Sequence, residues 1–131
     1  MPATNSYDYA IIRLVPCVER GECINIGIIL FCRTRRFLGA LLHLDQQRLD
    51  VFAPQLDLPA VQQQLEYLLL VCDGKEGSGP IGLLPQSERF HWLVAPRSTL
   101  IQTSPTHSGI CNDPENTLQD LLKKLVIMET R

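Results

Sequence analysis

Between residues 7 and 44 the chain alternates long apolar runs with short charged turns. Residues 7–15 (YDYAIIRLV) mix aromatic and β-branched side chains and stop at Pro16, the pattern of a strand. Residues 17–22 (CVERGE) read as a turn pivoting on Gly21. Residues 24–32 (INIGIILFC) are apolar nearly throughout, with Ile24, Ile26, Ile28 and Leu30 alternating against Gly27, Ile29 and Phe31. A strand apolar on both faces belongs in the middle of its sheet. Gly27 within it marks a bulge or the close approach of another backbone. After the basic turn at 33–36 (RTRR), residues 37–44 return as a third strand. The connections are too short for crossovers, so the three strands should form an antiparallel meander.

The period then changes from two to between three and four. Asp45 is placed to cap a short helix carrying Leu49 and Phe52, which Pro54 ends. A longer helix opens on Asp57 with Pro59 in its first turn, and Gly74 is its natural terminator. Its apolar positions Leu58, Val61, Leu65, Leu68, Leu69 and Cys72 define one core-facing side. Residues 75–87 are rich in glycine and proline and read as a long loop. Asp113 and Pro114 open a last helix, with Leu118, Leu121, Leu122, Leu125 and Met128 as its buried stripe.

Residues 89–109 (RFHWLVAPRSTLIQTSPTHSG) hold the single tryptophan, two of the three histidines, two arginines and a run of hydroxyls. Before Pro96 the alternation of Phe90, Trp92 and Val94 against Arg89, His91, Leu93 and Ala95 predicts a strand. Residues 98–103 alternate again, and 104–109 carry turn chemistry. Paired strands here would bring Arg89 and His91 onto one face with hydroxyls of the second strand, and would set Arg97 at the bend. The expected fold is therefore α+β: an antiparallel sheet of about five strands in the order β-β-β-α-α-β-β-α, with helices packed on it. We expect a single domain over residues 1–131, with its core at about 7–128.

Composition narrows the function classes. At 131 residues, 45% hydrophobic and 20% charged, the chain can bury a sizeable core. A net charge of −2 provides no global attraction for nucleic acid or anionic membranes. No apolar run is long enough to cross a membrane, and residues 1–10 lack the basic start and apolar core of a secretory signal. The five cysteines include no C-x-x-C pair, so the expectation is reduced thiols in a cytoplasmic protein.

Each kind of chemistry makes its own demand. Gly74-Lys75 is followed by Glu76 and comes after a helix, which is not the arrangement of a phosphate-cradling loop. Ser98 or Ser104 with His91 or His107 supplies the residue types of a nucleophile and base, but without a nucleophile-elbow motif. Cys111 with His107 is a second pair of that kind. His43, His91 and His107 are scattered, with no metal-ligand spacing, so neither metal nor cofactor is expected. The arginines at 33, 35 and 36 make nucleic-acid contact one reading, although an aromatic content of 6% gives little for bases to stack on. The remaining candidates form an anion- or partner-binding set: Arg20, Arg89, His91, Arg97, Ser98, Thr99, Ser104 and His107.

The segments YDYAIIRLVP, VERGECINIGIILFC and RFHWLVAPRSTLIQTSPTHSG resemble a bacterial family catalogued as domain of unknown function 3037. With RRFLGALLHLD and the NDP helix opening, the resemblance spans nearly the whole chain. It implies a small bacterial protein in an accessory or complex-forming role, with a kinase-like protein as the partner, and it implies no catalytic residues. The leading expectation is thus an accessory or binding module. One alternative is an enzyme on a phosphorylated or nucleotide-like substrate, with His91 or His107 as general base. Another is nucleic-acid contact through the basic turn.

Overall fold

The computed structural model describes residues 4–97 and 99–127. Three strands lead: β1 (Asn5–Leu14), β2 (Ile24–Cys32) and β3 (Phe37–Leu42). Helices α1 (Gln46–Phe52) and α2 (Leu58–Asp73) come next, then a 3₁₀ turn (Pro80–Leu83), α3 (Gln86–Leu93), β4 (Ile101–Thr103), β5 (His107–Cys111) and α4 (Pro114–Leu125). The strands form one antiparallel sheet in the order β3-β2-β1-β4, with β5 also on β1. The fold is α+β, with the expected element order interrupted by the 3₁₀ turn and α3.

Strand β2 lies inside the sheet, and all but one of its nine residues are buried. Each fully buried isoleucine or leucine contributes about 1.5–3 kcal/mol relative to exposure, which makes β2 the chief source of hydrophobic stabilisation. Its two faces are covered by different layers. Ile24, Ile26, Ile29 and Phe31 pack with Leu49, Val61, Leu65, Phe90 and Leu93 from α1, α2 and α3. Ile28, Leu30 and Cys32 pack with Leu118 and the half-buried Leu121, Leu122 and Leu125 from α4.

The regular alternation expected along β2 is therefore broken. Ile12 pairs with Gly27 and Arg13 with Asn25, which leaves Ile26 as an extra residue. Such a bulge places two consecutive residues on one side and reverses the phase beyond them. Gly27 occupies the crowded position. A Cβ there would meet the Leu41 carbonyl oxygen and Leu42 Cδ2, each at 2.7 Å. The bulge and the close approach thus occur together.

The caps agree with the sequence reading. Asp45 accepts from the Gln47 and Arg48 amides, Asp57 from the Ala60 amide, and Asp113 from the Glu115 amide. Gly74 ends α2 in the left-handed conformation, at φ 64°. Met128 lies outside the described residues.

The region after α2 departs from expectation. Residues 75–87 include the 3₁₀ turn and the start of α3, and residues 89–93 are helical rather than extended. The period of two in RFHWLVA misled because Phe90 and Leu93, the buried residues of this helix, are also three apart. Three and four are helical spacings, and seven residues are too few to separate the two periods. Pro85 and the polar QSE turn, with Glu88 near the positive end of the helix, were the local start signals.

The two late strands are β4 and β5, which pair end to end along β1 rather than with each other. Leu14–Ile12 pairs with Ile101–Thr103, and Tyr9–Asn5 with His107–Cys111. Ser104 bridges the break: its amide donates to the Ile11 carbonyl at 2.8 Å, and its hydroxyl accepts from the Ile11 amide at 2.8 Å. Pro105, which has no N–H to give, sits where the ladder is interrupted. Only 104–106 of the expected 104–109 loop is irregular.

The bulge predicts the effect of one substitution. Gly27→Val should lower unfolding stability by about 1–3 kcal/mol, the cost of overpacking a filled site. Urea denaturation reads it, and an unchanged midpoint would show that β3 yields freely.

Candidate functional site

Helix α3 ends at Leu93, and the connection from there to β4 brings Arg97 and Thr99 beside α2. Between that connection and α2 lies a groove of about 490 Å³, lined by Ala60, Gln63, Gln64, Tyr67, Leu68, Trp92, Arg97, Thr99 and Ile101. Its floor, Leu68 and Ile101, is the rim of the main core. Pockets of a few hundred Å³ with an apolar floor and a few polar groups suit a small ligand or a peptide segment.

One aromatic stack organises this groove. The Arg97 guanidinium lies over the Trp92 ring, 4.4 Å from its centroid, and its Nη2 donates to the Trp92 carbonyl. Tyr67 meets Trp92 edge-on, with centroids 6.1 Å apart and planes at 79°. The Tyr67 hydroxyl is anchored by donating to the Ser78 carbonyl at 3.1 Å. A cation–π contact of this kind is worth about 0.5–2 kcal/mol, so Arg97 is held in place while half-buried. Burial pulls its pKa below the ordinary arginine value, yet a guanidinium stays protonated at physiological pH. Among the described residues no carboxylate oxygen lies within 4 Å of it. The result is a fixed positive charge facing a groove with no acid among its described lining residues.

The other sequence candidates are dispersed. Thr99 joins Arg97 in the groove, with its hydroxyl donating to the Ile101 carbonyl at 2.7 Å. Ser98 lies outside the described residues. Arg89 is framework: it donates to the Leu84 carbonyl at 2.6 Å and the Cys72 carbonyl at 3.5 Å, tying α3 to the end of α2. The Arg89 Nε is buried without a partner. Ser104 is 2% exposed and is consumed by the β1 ladder.

Arg20 is exposed in the β1–β2 turn and pairs with Glu22. His91 is exposed in the last turn of α3. His107 is exposed on β5 opposite Tyr9, with ring centroids 5.3 Å apart. Tyr9 belongs to the α4 side of the sheet, so His107 and the groove occupy opposite faces. The expected convergence of arginines and histidines required two paired strands. With α3 helical, Arg89 turns inward and His91 outward.

Two of the catalytic arrangements are not brought together among the described residues. The groove is lined, among those residues, by one arginine and no histidine, whereas a histidine base acting on a phosphorylated substrate needed a histidine and two arginines in one pocket. Cys111 and His107 sit four residues apart on one strand, a separation of about 13 Å. Among the described residues no three His, Cys, Asp or Glu side chains cluster to hold a metal. None of the helices there is long and apolar enough to cross a membrane. In the basic turn, Arg33 lies over Phe31 at 5.7 Å and Arg35 donates to the Asn112 carbonyl at 2.7 Å.

Over residues 9–126 the sequence matches the model of the family described as protein of unknown function (DUF3037). The chain belongs to that family. No curated protein and no solved structure matches it.

Among the groove residues absent from the sequence reading, Gln63, Gln64 and Tyr67 are the polar and aromatic ones, all exposed on α2. Their signal was the QQQ run at 62–64 with a tyrosine after it on the polar side of an amphipathic helix. A polar helix face is ordinarily just solvated, so the pattern gained meaning only once Trp92 was placed against it.

The cysteines divide by environment. Cys17 and Cys23 are exposed, while Cys32, Cys72 and Cys111 are buried. Burial pushes the Cys72 thiol up to about 12 and also raises Cys111.

These placements have measurable consequences. Arg89→Ala should cost about 1–3 kcal/mol of stability, because it strips two part-buried carbonyls of a donor; an unshifted denaturation midpoint would contradict this. Near neutral pH a maleimide should label Cys17 and Cys23 rapidly and the other three cysteines only as fast as the chain unfolds. The unfolded Cys72 ionises near 9 while the folded one holds its proton to about 12, so stability should decline as pH rises through that window. Protection of Cys17 or Cys23, or stability rising over that range, would contradict the assignment.

Proposed function

We propose that this protein is a bacterial, cytoplasmic accessory module that works by binding rather than by catalysis, with the groove along α2 as its contact face. The observation that carries this reading is Arg97: a guanidinium pinned on Trp92, half-buried, and without a carboxylate partner among the described residues. A protein that partly desolvates a cation and leaves it unpaired forgoes stability, which is consistent with a counter-charge arriving from a partner. The aromatic–arginine composition of the groove supports the same reading, since tryptophan, tyrosine and arginine dominate binding hot spots. The kinase-like partner implied by the family resemblance is the first protein to test.

Arg97→Ala should reduce capture of that partner at least tenfold in a pull-down, with the melting temperature falling by only a few degrees, since the Trp92 contact it loses is worth about 0.5–2 kcal/mol. A melting temperature lower by many degrees would reassign Arg97 to the framework. Unaltered capture would remove the groove as the contact face.

A further inference from the structure

Resting on the binding role proposed for the groove, we infer that its occupant is an extended segment of a partner protein carrying one acidic side chain beside an apolar one. Charge sets the first limit. Among the described residues the groove holds a single cation, Arg97, and neither a glycine-rich turn nor a second basic side chain lines it. A phosphate group carries up to two negative charges and is usually met by several cations or converging backbone amides. One guanidinium matches one carboxylate, and its donors not engaged by the Trp92 carbonyl remain available for that carboxylate.

Aromatic geometry sets the second limit. A nucleobase would need an open ring face on which to stack. Arg97 covers one face of Trp92, and Tyr67 closes on the indole edge-on. The face under Arg97 is thus a support for the guanidinium and not a platform for a base.

The lining supplies the remaining recognition. Leu68 and Ile101 form an apolar floor beside Arg97, able to take an aliphatic side chain. Gln63 and Gln64 line the α2 wall, and neither side-chain amide is engaged in a hydrogen bond among the described residues. An amide both donates and accepts, which matches the alternating N–H and C=O groups of an extended backbone. From Ala60 to Tyr67 the wall runs about 10 Å, the span of about three extended residues. The segment that fits is accordingly short: an apolar residue over Leu68 and Ile101, with aspartate or glutamate next to it on Arg97.

Because Trp92 is the only tryptophan, its emission reports occupancy directly. The probes are acetyl-ALELA-amide, its neutral analogue acetyl-ALQLA-amide, inorganic phosphate and acetate, each titrated into the full chain. The acidic peptide should shift Trp92 emission saturably, with the neutral analogue at least tenfold weaker and phosphate and acetate without effect. Arg97→Gln should abolish the preference for the acidic peptide, and replacing Gln63 and Gln64 with alanine should weaken both peptides alike.

Equal binding of the two peptides, binding of phosphate or acetate alone, or no response to either peptide at millimolar concentration would overturn the acidic-segment assignment. If Arg97→Ala still loses partner capture in that case, the groove stands and only its ligand chemistry falls. If capture persists, the groove reading itself falls.

Discussion

Strand β2 has to satisfy two hydrophobic layers at once, and the rest of the molecule is arranged around that requirement. A strict alternation would send the same set of side chains to the same face along its whole length. The extra residue at Ile26, beside a glycine with no side chain to place, reverses the phase midway. Ile24 and Ile26 can then share a face with Ile29 and Phe31 against α1, α2 and α3, while Ile28, Leu30 and Cys32 face α4. Core density makes this arrangement sensitive to single methyl groups, and the paired strand β3 crowds the glycine from beside it.

With β2 enclosed, β1 carries the other side of the sheet, and its free edge has to be completed by chain lying beyond the helices. Two short strands joined through Ser104 complete it. The β4 pairing with Ile12–Leu14 sets where the chain re-enters the sheet after α3. The groove is a by-product of this path. Trp92 comes from the end of α3, Arg97 from the connection, and the opposing wall from the solvent side of α2.

Two arginines eight residues apart show how placement decides role. Arg89 turns toward backbone carbonyls at the junction of α2 and the 3₁₀ region, where its donors complete hydrogen bonds the chain would otherwise lack. Arg97 lies flat on an indole with one donor spent and its charge unpaired among the described residues. The first holds helices together; the second is left with capacity for something outside the chain.

The first three strands, the two-sided burial of the second, the bulge or close approach at Gly27 and the aspartate caps were all legible in the bare sequence. These are local or nearest-neighbour matters, set by side-chain period, turn length and the hydrogen bonding of a residue to its own backbone. Residues 89–109 also stood out there as chemically rich. Long-range packing settled the remainder. Seven residues of RFHWLVA fit both a period of two and a helical spacing, and the choice rests on Phe90 and Leu93 finding the main core. The groove depends on Gln63, Gln64 and Tyr67 meeting residues about thirty positions further on. No local pattern encodes such a meeting, because the polar face of α2 would look the same whether solvent or Trp92 lay against it.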